Sequence, residues 1–230
     1  KAGEALDFAL VQATRPCVAA ALFTTNAFKA APVVYDQRIL AQNPNGLRAV
    51  AINSGCANAC TGEQGLRDAA ATAEAVGQAL GVAAKSVMVM STGVIGQPLP
   101  MAKILAGVGL AAKALAEGVA AGHTAARAIM TTDTRPKEVA VRVVGGACQF
   151  HVAGMAKGAG MIHPNMATML CVIATDARIS PELAQKALAD AAEQSFHRMT
   201  IDGDTSTNDT LLLMADGAAE MPTIVSEASA

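Results

Sequence analysis

Short apolar runs alternate with Ala-rich amphipathic stretches along the first half of this chain. Val18 to Phe23 (VAAALF) and Leu47 to Ile52 (LRAVAI) are bounded by Thr, Asn and Gly, and each predicts a buried strand. Glu63 to Leu80 is rich in helix formers and stops at Gly81, which predicts a helix with a glycine at its C-terminal end. Ser86 to Met90 (SVMVM) predicts a further buried strand, followed at once by Ser91-Thr92-Gly93. Pro100 to Ala121 predicts one helix, with proline in its first turn. Strand and helix in alternation imply a layered α/β architecture.

The pattern changes further on. Val139 to Val144 and Cys148 to Val152 are β-type runs joined through Gly145-Gly146, the composition of a tight hairpin, so an antiparallel element is expected and the fold class becomes mixed (α+β). Cys171 to Ala174 (CVIA) predicts another strand. Ser180 as N-cap with Pro181 behind it opens a helix running to about His197. No internal repeat or Pro/Ser/Gly linker is visible, and the closing PTIVSEASA has no clear pattern.

Composition narrows the function. Hydrophobic residues make up 52% and charged residues 16% of 230, the balance of a core-rich folded protein. A net charge of -2 with no adjacent basic residues gives no electrostatic footprint for nucleic acid or an anionic membrane, and one Tyr with no Trp leaves little for base stacking. The longest Ala-rich stretch, Ile104 to Ala121, is broken by Lys113 and Glu117 and does not read as a membrane span. Neither nucleic acid nor a membrane is therefore expected as a partner; a small molecule is. Five scattered cysteines (Cys17, Cys56, Cys60, Cys148, Cys171) suit a reducing compartment, the cytoplasm. Cys56 and Cys60 lack the further ligands zinc would need and are read as small buried residues.

The segment KGAGMIHPNMATML (Lys157 to Leu170) fits no ordinary core element. Small residues, a proline and then Met166-Ala167-Thr168 lead straight into a strand. One reading is a Gly-rich turn. The other is chemical: a Thr hydroxyl is a weak nucleophile unless a base adjoins it, and a Thr that becomes an N-terminus carries its own base, an α-amine titrating near about 7.7–8.0. The stretch DGDTSTNDT places Asp202, Asp204 and Ser206 at alternate positions, but Thr207 and Leu213 stand where a calcium loop needs Gly and Glu. It reads as a hydrogen-bonded turn supporting the active site, and no metal is expected.

KGAGMIHPNMATML closely resembles the self-cleavage segment of the ornithine acetyltransferases, the glutamate N-acetyltransferases of the ArgJ family. The resemblance extends through FTTNAFKAAPV (Phe23 to Val33), NSGCANACTG (Asn53 to Gly62), STGVIG (Ser91 to Gly96), AIMTTDTRPK (Ala128 to Lys137) and IDGDTSTNDT (Ile201 to Thr210), in order along most of the chain.

It implies cleavage between Ala167 and Thr168, with Thr168 as nucleophile and substrate contact. It implies an oxyanion hole from Thr92 and Gly93, where a hydroxyl and a backbone N–H just beyond a strand converge on developing charge. Lys157 corresponds to a substrate-contacting lysine that would pair with an α-carboxylate. Thr131 and Thr132 occupy another substrate contact, strand alternation allowing only one of them to face inward. His163 stands where the family more often has Ala.

The implied fold is an αββα layered sandwich of the DmpA/ArgJ-like type. Residues 1–167 form an alpha-chain-like segment and residues 168–230 the start of a longer beta-chain segment, the family's remaining substrate contacts lying past Ala230. The implied reaction moves acetyl from N2-acetylornithine to glutamate through an acetyl-threonine enzyme in arginine biosynthesis. No cofactor is implied, acetyl-CoA serving some members as donor. The cleaved fragments stay together and assemble further, as an α2β2 heterotetramer. Two other classes compete: an N-terminal-nucleophile amidohydrolase or aminopeptidase that uses water as acceptor, and a non-catalytic amino-acid-binding protein on the same fold.

Overall fold

The computed structural model describes residues 6–146, 148–162 and 169–226. The elements run β1 (Phe8–Phe23), α1 (Ala31–Gln42), β2 (Leu47–Cys56), α2 (Gly62–Leu80), β3 (Val87–Val94), α3 (Met101–Lys113), α4 (Val119–Ala128), β4 (Lys137–Gly145), β5 (Cys148–Lys157), β6 (Leu170–Thr175), α5 (Pro181–Glu193) and β7 (Thr210–Ala215). The strands join in one seven-stranded sheet of order β3-β2-β1-β7-β6-β5-β4. The β2/β3 and β6/β7 pairs are parallel and the others antiparallel.

The long first strand makes this sheet a sandwich. Phe8 to Gln12 and Cys17 pair with β2, the register slips between Gln12 and Cys17, and Val18 to Phe23 pair with β7. β1 therefore passes from one half of the sheet to the other. One apolar cluster takes Val50 and Ile52 from β2, Met88 and Met90 from β3, Met155 from β5, Leu170 and Val172 from β6, and Leu212 and Met214 from β7. It is the filling between the two halves, and the alternate residues face outward. Ala49, Ala51, Val87 and Val89 meet Ala69, Ala73 and Val76 of α2 and Val108 of α3. Cys171, Leu211 and Leu213 meet Ala184, Leu188 and Ala192 of α5. The expected αββα layering is thus present.

The helices follow local rules. The inner residues of α2 recur at helical spacing (Gly65, Asp68, Ala69, Thr72, Ala73, Val76), and the helix ends at Gly81 with φ 66°, the left-handed conformation glycine adopts without steric cost. In α5, Ser180 Oγ accepts from Leu183 N at 3.3 Å, which satisfies one of the open amides of the first turn. Among the described residues no helix is long and apolar enough to cross a membrane.

Several sequence expectations are corrected. The single helix expected over 100–121 is two, α3 and α4, because the chain turns at Gly118 with φ 98°. The hairpin turns one residue later than expected, since Gly145 still pairs with Cys148. The helix after Ser180 ends at Glu193, with a separate 3-10 turn over Phe196–Arg198. β1 begins ten residues before the expected strand, and both α1 and β7 were unanticipated.

Candidate functional site

The site is built where the parallel β2/β3 pair ends. Ser54 pairs with Thr92 and Gly55 with Gly93, and after a register shift the pairing ends at Cys56 and Val94. Thr92 and Gly93 lie within β3 rather than beyond it. Gly93 has φ 133°, and a Cβ there would lie 2.2 Å from the backbone carbon of Gly55, so only glycine fits. Ser91, two residues before it, donates to Asn53 Oδ1 at 2.6 Å, and Ser54 donates to the Ala128 carbonyl at 2.8 Å. The strand ends are therefore fixed by buried side chains.

From the opposite half of the sandwich, Lys157 at the end of β5 reaches across. Its Nζ donates to Thr92 Oγ1 at 3.0 Å, and it is 5% exposed, which excludes a solvated surface lysine. Its cross-strand partner is Leu170, two positions after Thr168 in the sequence. Asn208 also bridges the halves, donating from Nδ2 to the carbonyls of Ala57 (2.7 Å) and Ser91 (2.8 Å).

A pocket of about 530 Å³ opens between these groups, bordered by Thr92, Gly93, Thr131, Thr132, Lys157 and Asn208, among others. All the sequence-derived site residues that fall within the described chain thus meet in one cavity. Thr131 and Thr132 lie in a loop and both border it, so strand alternation does not choose between them. Thr168, Ala167 and His163 lie outside the described residues.

Asp133, which the sequence did not single out, organises this loop. It is buried, accepts from the amides of Thr131 (Oδ2, 3.4 Å) and Gly158 (Oδ1, 2.8 Å), and pairs with Lys137. Burial opposes its charge, yet Lys137 and the two amides hold its carboxyl below the ordinary value. One carboxylate thereby ties the threonine loop to the residue following Lys157. Asp209 lies within electrostatic reach of Lys157. Burial pushes its carboxyl up to about 7, against the lowering influence of Ser206, the Met169 amide, Lys157 and Thr24.

The cysteines take no part in this cavity. All five are free thiols. Burial pushes Cys17 up to about 11 and Cys171 up to about 12, far from the range of a reactive thiolate. Cys56 and Cys60 are not buried as expected: Cys56 is half-buried and Cys60 exposed, its backbone in the left-handed region at φ 56°.

The ArgJ family profile matches residues 1–229. The chain belongs to the ArgJ family. An arginine biosynthesis bifunctional protein ArgJ from Dehalococcoides mccartyi is 52% identical over 95% of this chain and 52% of its own length. A mitochondrial ArgJ from Verticillium alfalfae is 51% identical over 93% of the chain and 47% of its own. This ArgJ chain therefore spans about half the length of the curated relatives it matches. Among solved structures, an ornithine acetyltransferase from Mycobacterium tuberculosis, crystallised with ornithine, superposes with a TM-score of 0.65 and 45% identity, covering 74% of this chain and 87% of that one.

Proposed function

We propose that this ArgJ chain carries an acetyl-transfer site that moves acetyl from N2-acetylornithine to glutamate, with Thr168 as nucleophile. The observation that carries the reading is the convergence of Thr92, Gly93, Thr131, Thr132 and Lys157 on one pocket, with Lys157 opposite the strand that Thr168 leads into.

The sequence of steps balances without a cofactor. The Thr168 hydroxyl adds to the Ala167 carbonyl carbon, the peptide C–N bond breaks, and the hydroxyl proton passes to the departing nitrogen. Water then hydrolyses the resulting ester, leaving a carboxylate at Ala167 and a free amine and hydroxyl on Thr168. In the transfer reaction that amine takes the hydroxyl proton as Oγ attacks the acetyl carbonyl, and returns it to the nitrogen of the leaving ornithine. Glutamate's amine then attacks the acetyl ester and regenerates the hydroxyl. The Thr92 hydroxyl and Gly93 N–H stabilise the oxyanion in both halves, and Lys157 and the threonine loop receive the polar ends of the substrates.

Residues 1–167 and 168–230 remain associated through the shared core and assemble as α2β2. Acetyl-CoA is a possible alternative donor on the same nucleophile. The compartment proposed is the cytoplasm, to which the free thiols lend support.

Intact-mass analysis of the purified chain tests the nucleophile: a fragment beginning at Thr168 is expected, and it should vanish in Thr168→Ala. Incubation with acetylornithine, with and without glutamate, tests the transfer. Ornithine release should depend on glutamate and yield acetylglutamate in step; release indifferent to glutamate would mean that water is the acceptor and the site an amidohydrolase.

A further inference from the structure

The residues on either side of positions 163–168 are held by a single stretch, Thr200 to Thr210. Upstream, Asp202 Oδ2 accepts from Met161 N at 2.6 Å and Oδ1 from Ile162 N at 2.9 Å. The Ile162 carbonyl in return accepts from the amides of Ile201 (3.0 Å) and Gly203 (3.3 Å). Downstream, Asp209 Oδ1 accepts from Met169 N at 3.1 Å, and the Met169 carbonyl accepts from Thr210 N at 3.1 Å.

The stretch between the two carboxylates is itself anchored. Thr24 Oγ1 donates to the Ser206 carbonyl at 2.6 Å, Asn26 Nδ2 to the Thr205 carbonyl at 2.9 Å, and Asn208 to the opposite half of the sandwich. Its fixed geometry is imposed on both flanks. Met161 sits at φ 58°, a conformation costly for a side chain other than glycine, and Asp202 grips its amide and the next.

Intramolecular attack of a hydroxyl on a neighbouring carbonyl depends on alignment, and a misplacement of about 1 Å costs on the order of 10²-fold. We propose that Asp202 and Asp209 are positioning residues for backbone cleavage at Ala167–Thr168, acting through the amides of Met161, Ile162 and Met169. The inference rests on the self-cleavage reading above. The carboxylates differ in a way that can be tested: Asp202 uses both oxygens, whereas Asp209 uses one for Met169 and its Oδ2 has no hydrogen-bond partner among the described residues. An asparagine therefore preserves the contact at 209 and loses one at 202.

The experiment follows the fragment beginning at Thr168 by intact mass over time in the whole chain, for wild type, Asp202→Asn, Asp209→Asn, Asp209→Ala and, as control, Asp204→Asn, whose side chain is exposed. Melting curves identify the folded variants. Asp209→Ala should slow cleavage by on the order of 30-fold and Asp202→Asn by about 10-fold, with Asp209→Asn and Asp204→Asn within about 3-fold of wild type. Rescue by asparagine at 209 but not at 202 is the pattern that general destabilisation does not produce. Cleavage at the wild-type rate in Asp209→Ala and Asp202→Asn overturns the proposal. If Asp209→Ala has no cooperative melt, Asp202→Asn decides, a wild-type rate there overturning it. A wild-type chain that never cleaves overturns the self-cleavage reading and this inference with it.

Discussion

Lys157 Nζ donates to Thr92 Oγ1 at 3.0 Å across the two halves of the sandwich, with both side chains buried. An ammonium only donates, so the Thr92 oxygen is the acceptor and its own proton is left to point at something else. In a pocket that both residues line, this is the arrangement an oxyanion donor needs. On the proposed mechanism Lys157 thus has a second role beside the proposed pairing with a substrate carboxylate.

The two roles separate in a double-mutant cycle. Thr92→Val should lower kcat for acetyl transfer by about 10²–10³-fold with a smaller change in KM. If Lys157 acts through the hydroxyl, Lys157→Met added to Thr92→Val should cost little more than Thr92→Val alone. A purely substrate-binding lysine would instead raise KM and act additively. Steady-state kinetics on the four proteins decide between them.

Gly93→Ala should damage the site through the backbone. The new Cβ would lie 2.2 Å from the carbon of Gly55 while φ stays at 133°, so β2 and β3 must separate where the proposed oxyanion hole lies. A loss of about 3 kcal/mol is expected, with transfer activity below detection. A crystal structure of the variant with an unmoved Gly55, or an unchanged melting temperature, would refute it.

The strands with uniform apolar runs, β2 and β3, and the α2 helix with its glycine stop were legible because one local rule decided each. α1 escaped because its inner face carries Asp36, a fully buried carboxyl that interrupts the apolar stripe, and β7 because it follows the polar turn without a break. The split between α3 and α4 lay in one glycine's φ, hidden among good helix formers. At the site, Thr92, Gly93, Thr131, Thr132 and Lys157 were found through family resemblance, not from periodicity. Asp133 and Asn208 were missed because Gly158 and Ser91, the partners that join them to the rest of the site, lie 25 and 117 residues away, contacts that only the folded chain creates.

Asn208→Ala tests how much the bridge between the halves contributes. It removes two donated bonds and leaves the carbonyls of Ala57 and Ser91 facing a small void. At about 1–3 kcal/mol for each group left unsatisfied, a loss on the order of 3 kcal/mol is expected. For a chain of this size that is a melting-temperature drop of roughly 6–12 °C. Calorimetry checks it; a drop under about 2 °C would mean that water replaces the amide.

The buried carboxyls make stability fall as pH rises through the neutral range. Asp36 is wholly buried, accepts from Val89 N at 2.8 Å through Oδ1, and has no hydrogen-bond partner for Oδ2 among the described residues. Burial pushes it well above its ordinary 3.8, the Val89 amide offsetting only part of this. Asp209 is pushed up to about 7 by the same cause. Between the unfolded and folded pKa values the native state holds the extra protons, so the stability these groups lend is complete below about pH 3.8 and is lost as pH rises toward and past their folded values. Asp133 and Asp176 have lowered values and act in the opposite sense, but only in acid, as pH falls below the ordinary carboxylate range. Wild type should therefore melt at a lower temperature at about pH 8 than at about pH 5. Asp36→Asn keeps the acceptor for Val89 and removes the titration, so its melting temperature should fall less steeply across the same interval. The slope of Tm against pH, compared between the two proteins, is the measurement, and equal slopes would show that Asp36 does not ionise within this range.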